Sequence, residues 1–169
     1  QSIEEIVGSA LQGLGAALAG HPLTLDLPQT LQLVKCDAVL IERVLVNLLE
    51  NAAKHTPPGT IVSLRATANA DQLVISVVDH GSDASDAELE RMFQKFQHGS
   101  MEGAAGGVGL GLAICRAIVR LHGGESWAER TPGGGMTFRI SLPLERAPEI
   151  PAEQPTSLAD GPAPNDPRR

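Results

Sequence analysis

Residues 37–60 read DAVLIERVLVNLLENAAKHTPPGT. Asp37 has the short acceptor side chain of a helix N-cap and Pro57-Pro58-Gly59 stops the pattern, so the spacing predicts a helix from Ala38 to about His55. Ile41, Leu45, Leu48, Leu49 and Ala52 recur at helical spacing and form the face turned to a core. Asn47, Asn51 and Lys54 share a narrow stripe on another side. Asparagines inside a helix lower its propensity. A neutral amide oxygen suits Mg²⁺, which keeps several waters and takes few protein ligands beside substrate phosphates, and a lysine one turn on suits a phosphate. For this run alone a solvated face with incidental asparagines is an equal alternative.

The flanks complete a pattern of strands and helices. Thr60–Ala68 and Gln72–Asp79 alternate apolar and polar residues across Asn69-Ala70-Asp71, as an antiparallel hairpin does. Leu23–Leu27 and Leu31–Val34 read as two short strands around Pro28, and Trp127 and Met136–Leu142 fall in two more. Helices are predicted over residues 2–18, with Ser2 and Glu5 as a capping box, over 86–96, and from the glycine-rich run 99–111 to His122, ended by Gly123-Gly124. The expected fold is α+β, a two-layer sandwich with helices on one face of a mixed, mostly antiparallel sheet. It spans residues 20–144. Six prolines after Glu145 mark 145–169 as a disordered tail.

The chain has 169 residues, a formal charge of -7, 42% apolar residues and only three Phe, one Trp and no Tyr. At this size a core can bury roughly two thirds of the unfolded chain's surface. It must be built from Leu, Val, Ile and Ala. The acidic balance argues against a nucleic-acid partner, which would call for a basic stripe. Cys36 and Cys115 are far apart and outside any CxxC pair, so no disulfide framework or zinc site is indicated; both read as small core hydrophobes in a reducing compartment. No run is long and apolar enough for a membrane span. Beginning with Gln rather than Met, the chain is expected to be a piece of a longer protein.

Three further features are weak signals singly. Residues 106–112, GGVGLGL, lead into a helix N-terminus where backbone N–H groups attract an anion, although a flexible linker reads the same way. They match neither GxxxxGK[ST] nor the dinucleotide fingerprint. Asp79 ends a strand before His80-Gly81 and could accept a hydrogen bond from an exocyclic amine or cap a turn. Gly133–Gly135 in isolation is a hairpin turn.

In this order the features resemble the catalytic, ATP-binding domain of sensor histidine kinases, the fold shared with the ATPase domains of gyrase and MutL. NLLENAAKHT (47–56) is similar to the N box, Asp79-His80-Gly81 to the first glycine box, Met92–Phe96 to the F box, and GGVGLGLAI (106–114) to the second glycine box. His122-Gly123-Gly124 and GGGMTFRISLP (133–143) complete the set. More narrowly, residues 1–12, 42–56 and 108–124 look like the potassium-responsive, Kdp-type branch.

The resemblance implies that Asn51 binds Mg²⁺, Asn47 lies close to the ATP phosphates and Lys54 contacts them. Asp79 would read the adenine amino group, with Gly81, His55 and Thr137 near the nucleotide. The backbone of Gly107, Gly109, Leu110 and Gly111 would cradle the phosphates under a lid of residues 97–106. Residues 1–19 would be the end of a dimerisation helix, and the parent a homodimeric inner-membrane protein with this domain in the cytoplasm, acting on a response regulator. Relatives that hydrolyse ATP with water carry Glu where Asn47 stands, so transfer to histidine is the expected chemistry. His21, His55, His80, His98 and His122 all lie outside an acceptor motif, which places the phosphoacceptor elsewhere and leaves this fragment unable to autophosphorylate.

Three positions depart from the family pattern: Asp83 replaces the second glycine of DxGxG, His55 a common Tyr, and His98 a common lid Arg. Asp83 and His98 motivate an alternative, a degenerate domain that serves as a regulatory interaction module.

Overall fold

The computed structural model describes residues 1–30, 33–81, 85–98 and 110–144. Four helices and five strands follow as α1 (Ile3–Gly13), β1 (Leu23–Asp26), α2 (Ala38–Lys54), β2 (Val62–Ala68), β3 (Gln72–Asp79), α3 (Asp86–His98), α4 (Leu110–Leu121), β4 (Ser126–Arg130) and β5 (Met136–Pro143). The strands form one sheet in the order β1-β2-β3-β5-β4. Only β1 and β2 run parallel; the other three pairs are antiparallel. The expected α+β sandwich with a mixed, mostly antiparallel sheet is the fold observed.

Pairing places one apolar row across the sheet: Leu64 opposite Val77, Val77 opposite Phe138, and Phe138 opposite Ala128. These side chains share a core with Ile41, Val44, Leu45, Leu48 and Leu49 of α2, with α4 through Leu112, Cys115 and Val119, and with α1. Two phenylalanines supply its only described ring pair. Phe96 and Phe138 meet edge to face with centroids 5.2 Å apart, a favoured geometry for two ring quadrupoles. Branched aliphatics do the rest, as composition required.

α1 stops at Gly13 rather than continuing to residue 18. Gly13 and Gly15 weaken a helix there, and the chain turns to Gly20 at φ 88°. Its Ser2 cap is present, the hydroxyl oxygen accepting the Glu5 N–H at 3.5 Å and its proton going to Glu4 at 2.6 Å. Ile3, Ile6, Val7, Ala10 and Leu14 are buried in the same core as α2. The second of the two short strands is also corrected. Leu33 makes a single bridge to Ser2 and Val34 is buried, while residues 31 and 32 lie outside the described residues. The tail 145–169 lies outside them too.

α2 begins as expected, with the Asp37 carboxylate accepting the Leu40 N–H at 3.1 Å. α4 ends at Leu121, Gly123 beyond it takes φ 73°, and the next glycine serves packing. A Cβ on Gly124 would collide with the carbonyl oxygen of Ser141 in β5. The same segment is tied by the Ser141 N–H to Glu125 O at 2.8 Å and by the Glu125 N–H to Ser141 Oγ at 3.1 Å.

Gly124→Ala is therefore expected to lower unfolding stability by about 1–3 kcal/mol, the usual range for overpacking. Gly8→Ala, inside α1 with nothing within 4 Å of the added carbon, is expected to raise it by about 0.5–1 kcal/mol. Urea midpoints of the two variants against wild type check both signs.

Candidate nucleotide site

α2 and α4 run antiparallel, and their contacts fix a register. The Asp37 N–H reaches His122 Nε2 at 3.0 Å, the Cys115 thiol donates to Val44 O at 3.7 Å, and a Cβ on Gly111 would sit 3.9 Å from Asn47 Cγ. The N-terminal turn of α4 thereby comes to rest on the polar stripe of α2. Asn47 is half-buried against Gly111 and also meets the Cys115 thiol, which burial pushes up to about 12 despite that contact. Asn51, one turn on, is half-buried and points its amide at the Met92 sulfur of α3, 3.9 Å away. Lys54 is exposed in the last turn, near the negative end of the helix dipole. His55 caps α2 through its N–H to Asn51 O at 3.3 Å. Thr56 is buried, its hydroxyl bonded to Ala52 O at 2.8 Å.

Asp79 ends β3 with only 2% of its surface exposed. Its Oδ1 accepts the Met136 N–H at 3.0 Å, and the Gly81 N–H also bonds its carboxylate. Burial raises its pKa above the ordinary value; those two N–H groups and His80 oppose the shift without cancelling it. A buried, charged acceptor with a raised pKa is stabilised by any further donor brought to it. Gly81 takes φ 146°, which a side chain rarely adopts.

Gly135, in sequence an ordinary turn residue, has a second role in the structure. It adopts φ 98°, and a Cβ there would collide with Asp79 Oδ1 and the Asp79 carbonyl and lie 2.9 Å from the Gly81 nitrogen. The three-glycine run opposite a strand-terminal Asp was the available signal. Thr137, expected near the nucleotide, pairs with Val78 and so lies on the sheet face opposite to Asp79. Its hydroxyl is buried against Thr131 Oγ1 at 3.0 Å. Leu110 is exposed at the start of α4. Gly107, Gly109, Asp83 and lid residues 99–106 lie outside the described residues, as does the side chain of His98; residues 97 and 98 form the end of α3.

The chemistry of the donor set fits a nucleotide with its metal. The carboxylate of Asp79 matches an exocyclic amine, and α2 and α4 bring two amides, a lysine and a helix N-terminus to one place. Among the described residues no group of three or more His, Cys, Asp or Glu could hold a metal, so a cation at Asn51 would draw other ligands from phosphates and water.

This sheet, with a helix-borne asparagine stripe beside a strand-terminal buried aspartate, defines an ATPase-type domain. The chain belongs to the histidine kinase-, DNA gyrase B-, and HSP90-like ATPase family, whose model matches residues 36–146. It is 45% identical over 149 residues to the sensor protein KdpD of Escherichia coli (strain K12), covering 88% of this chain and 17% of that protein. KdpD of Clostridium acetobutylicum is 34% identical over 145 residues, covering 85% and 16%. The chain thus spans about one sixth of the length of these sensor kinases, which are protein kinases. Among solved structures, the catalytic domain of histidine kinase ThkA shares the fold with TM-score 0.72 at 22% identity, over 85% of this chain and 94% of that one. The mycobacterial sensor histidine kinase MprB gives TM-score 0.69 at 24% identity, over 87% and 99%. No described helix is long and apolar enough to cross a membrane.

Because the raised pKa makes the folded state the better proton acceptor, stability associated with Asp79 is fully present below the ordinary carboxylate value and is lost as pH rises through the raised one. A carbon-13 carboxyl titration of the folded chain should place the Asp79 midpoint above that of the same residue in a short peptide; coincident midpoints refute the burial argument. Gly135→Ala should move that midpoint and perturb the Met136 amide resonance.

Proposed function

We propose that this chain binds Mg-ATP and donates the γ-phosphate to a histidine on a dimerisation domain of the same sensor kinase, outside the sequence described. The observation that carries this reading is the buried Asp79 carboxylate, cleared by Gly135, in a fold whose α4 N-terminus rests on Asn47. Asp79 accepts a hydrogen bond from the adenine amino group, which guanine lacks at that position. Asn51 holds the metal and Lys54 neutralises phosphate charge, so the domain acts by positioning and electrostatic stabilisation. Mg²⁺, when bound, screens the charge of the phosphate oxygens.

The incoming imidazole nitrogen uses its lone pair to form the P–N bond as the bond from phosphorus to the ADP oxygen breaks. That nucleophile needs no base at Asn47, whereas water does. Leu110, Ile114 and Leu121 are 53%, 36% and 76% exposed along α4 and support contact with an apolar helix of the acceptor domain. The KdpD similarity supports membership of the potassium-responsive branch, with homodimerisation, a response regulator downstream and a cytoplasmic position at an inner membrane. Glycine-rich residues 106–109 complete the phosphate cradle in this proposal.

Isothermal titration tests the first step. Mg-ATP should bind in the micromolar to sub-millimolar range, Asn51→Ala should abolish the heat, and Asp79→Asn should weaken affinity by about tenfold or more, the worth of a charge-assisted hydrogen bond. Silence at several millimolar overturns the proposal in favour of a non-binding interaction module. Incubated with radiolabelled ATP, residues 1–169 alone should acquire no acid-labile phosphate, whereas an added acceptor domain should.

A further inference from the structure

His122 uses both ring nitrogens at the end of the helix pair farthest from the site. Nδ1 lies 2.8 Å from Ile118 O, one turn back in α4, and can only donate to it. Nε2 is then the unprotonated nitrogen, and it accepts the Asp37 N–H at 3.0 Å. The two bonds together fix the tautomer. The Nε2 bond satisfies the N-cap amide of α2, a group that a helix end leaves over, and the Nδ1 bond adds a second donor to the Ile118 carbonyl, which already accepts the His122 N–H at 3.2 Å. Of the other contacts between the helices, those of the Cys115 thiol with Val44 O and with Asn47 are weak, sulfur-borne ones, and the Gly111–Asn47 contact is apolar on the glycine side. The imidazole therefore supplies the short, directional link between them. Beyond it, Gly124 is packed on the Ser141 carbonyl, so the α4 end that carries His122 is itself seated on the sheet.

We propose that His122 is a positioning residue for the nucleotide site: by bonding Asp37 it sets the register of α4 along α2, and so the placement of Gly111 against Asn47. A slip of α4 by one residue would move Gly111 by about 1.5 Å along the seam and turn a side chain toward Asn47. The inference rests on nucleotide binding at the α2–α4 seam as proposed above.

Two partial isosteres separate the bonds. His122→Gln can place an amide oxygen near the Nε2 position and keep the link to Asp37, whereas His122→Asn can reach only Ile118 O. Titrated with Mg-AMPPNP at a temperature where circular dichroism shows each protein folded, His122→Gln should bind within about twofold of wild type. His122→Asn should lose about fivefold, the scale of one unmade hydrogen bond. Equal affinities for the two variants, whether both retained or both lost, overturn the inference while wild type still binds. A wild type that binds nothing overturns the functional reading and this inference with it. If His122→Asn does not fold, amide exchange on the wild type decides: Mg-AMPPNP should slow exchange at the Asp37 amide as well as at Gly111, and protection confined to Gly111 refutes the coupling.

Discussion

α2 is packed along three sides, and that packing sets every direction in the site. Ile41, Val44, Leu45, Leu48 and Leu49 are fully buried against the sheet, α1 and α4. Burying each such side chain is worth about 1.5–3 kcal/mol. Rotating the helix by one residue would swing this face by about 100° and expose much of it, so rotation is opposed by far more than any polar contact in the site could supply. Asn47, Asn51 and Lys54 point where they do because the leucines leave them no other side. The half-burial of Asn47 and Asn51 follows from α3 and α4 closing over the same seam, which leaves Lys54 exposed. The inclusion of α1 in this core has the same origin: Ile3, Ile6, Val7 and Ala10 fill a face that α2 would otherwise present to water.

The sheet contributes a second constraint of a different kind. Asp79 is the last residue of β3 and sits under the turn that leads into β5, where the backbone of Gly135 occupies space that any Cβ would take from the carboxylate. Two N–H groups compensate its charge only in part, as the raised pKa shows. A charge held in this condition is stabilised by a ligand donor, and the energetic cost of holding it without one is borne by the folded core. Site and stability are thus opposed at Asp79 and allied along α2.

The α2 helix, its N-cap and the β2–β3 hairpin could be read from sequence because each rests on local periodicity and turn chemistry: Asp37 bonds Leu40, and Asn69 Oδ1 accepts the Asp71 and Gln72 N–H groups at 2.9 Å. The rest was decided by distant partners. The amphipathic pattern of α1 marks a face to be buried, and only tertiary packing brings α2 to it. Leu33 and Val34 are apolar enough for a strand, yet they meet Ser2 and Gln1, so the run ends as a single bridge. Thr137 lies one step of the strand alternation away from Asp79, and its neighbour Met136 is the residue that shares a face with that carboxylate. Gly135 carries no side chain to suggest a role; its importance lies in a collision that appears only when β3 and β5 are brought together.

Asn47 joins these strands of reasoning to the chemistry. Its amide does not take up a proton near neutral pH, and the described group that touches it, the Cys115 thiol, is pushed up to about 12 by burial. The thiol therefore stays protonated there and donates to the Val44 carbonyl. Neither can accept a proton from an attacking water. The same leucine packing that presents Asn47 to the seam brings Cys115 beside it, and both ends of that contact are neutral. On the proposed reading this point favours a nucleophile that needs no deprotonation: a neutral imidazole nitrogen attacks through its lone pair, whereas water has to lose a proton. On that reading, a preference for transfer over hydrolysis would rest on the α2–α4 seam as much as on any residue that binds the nucleotide.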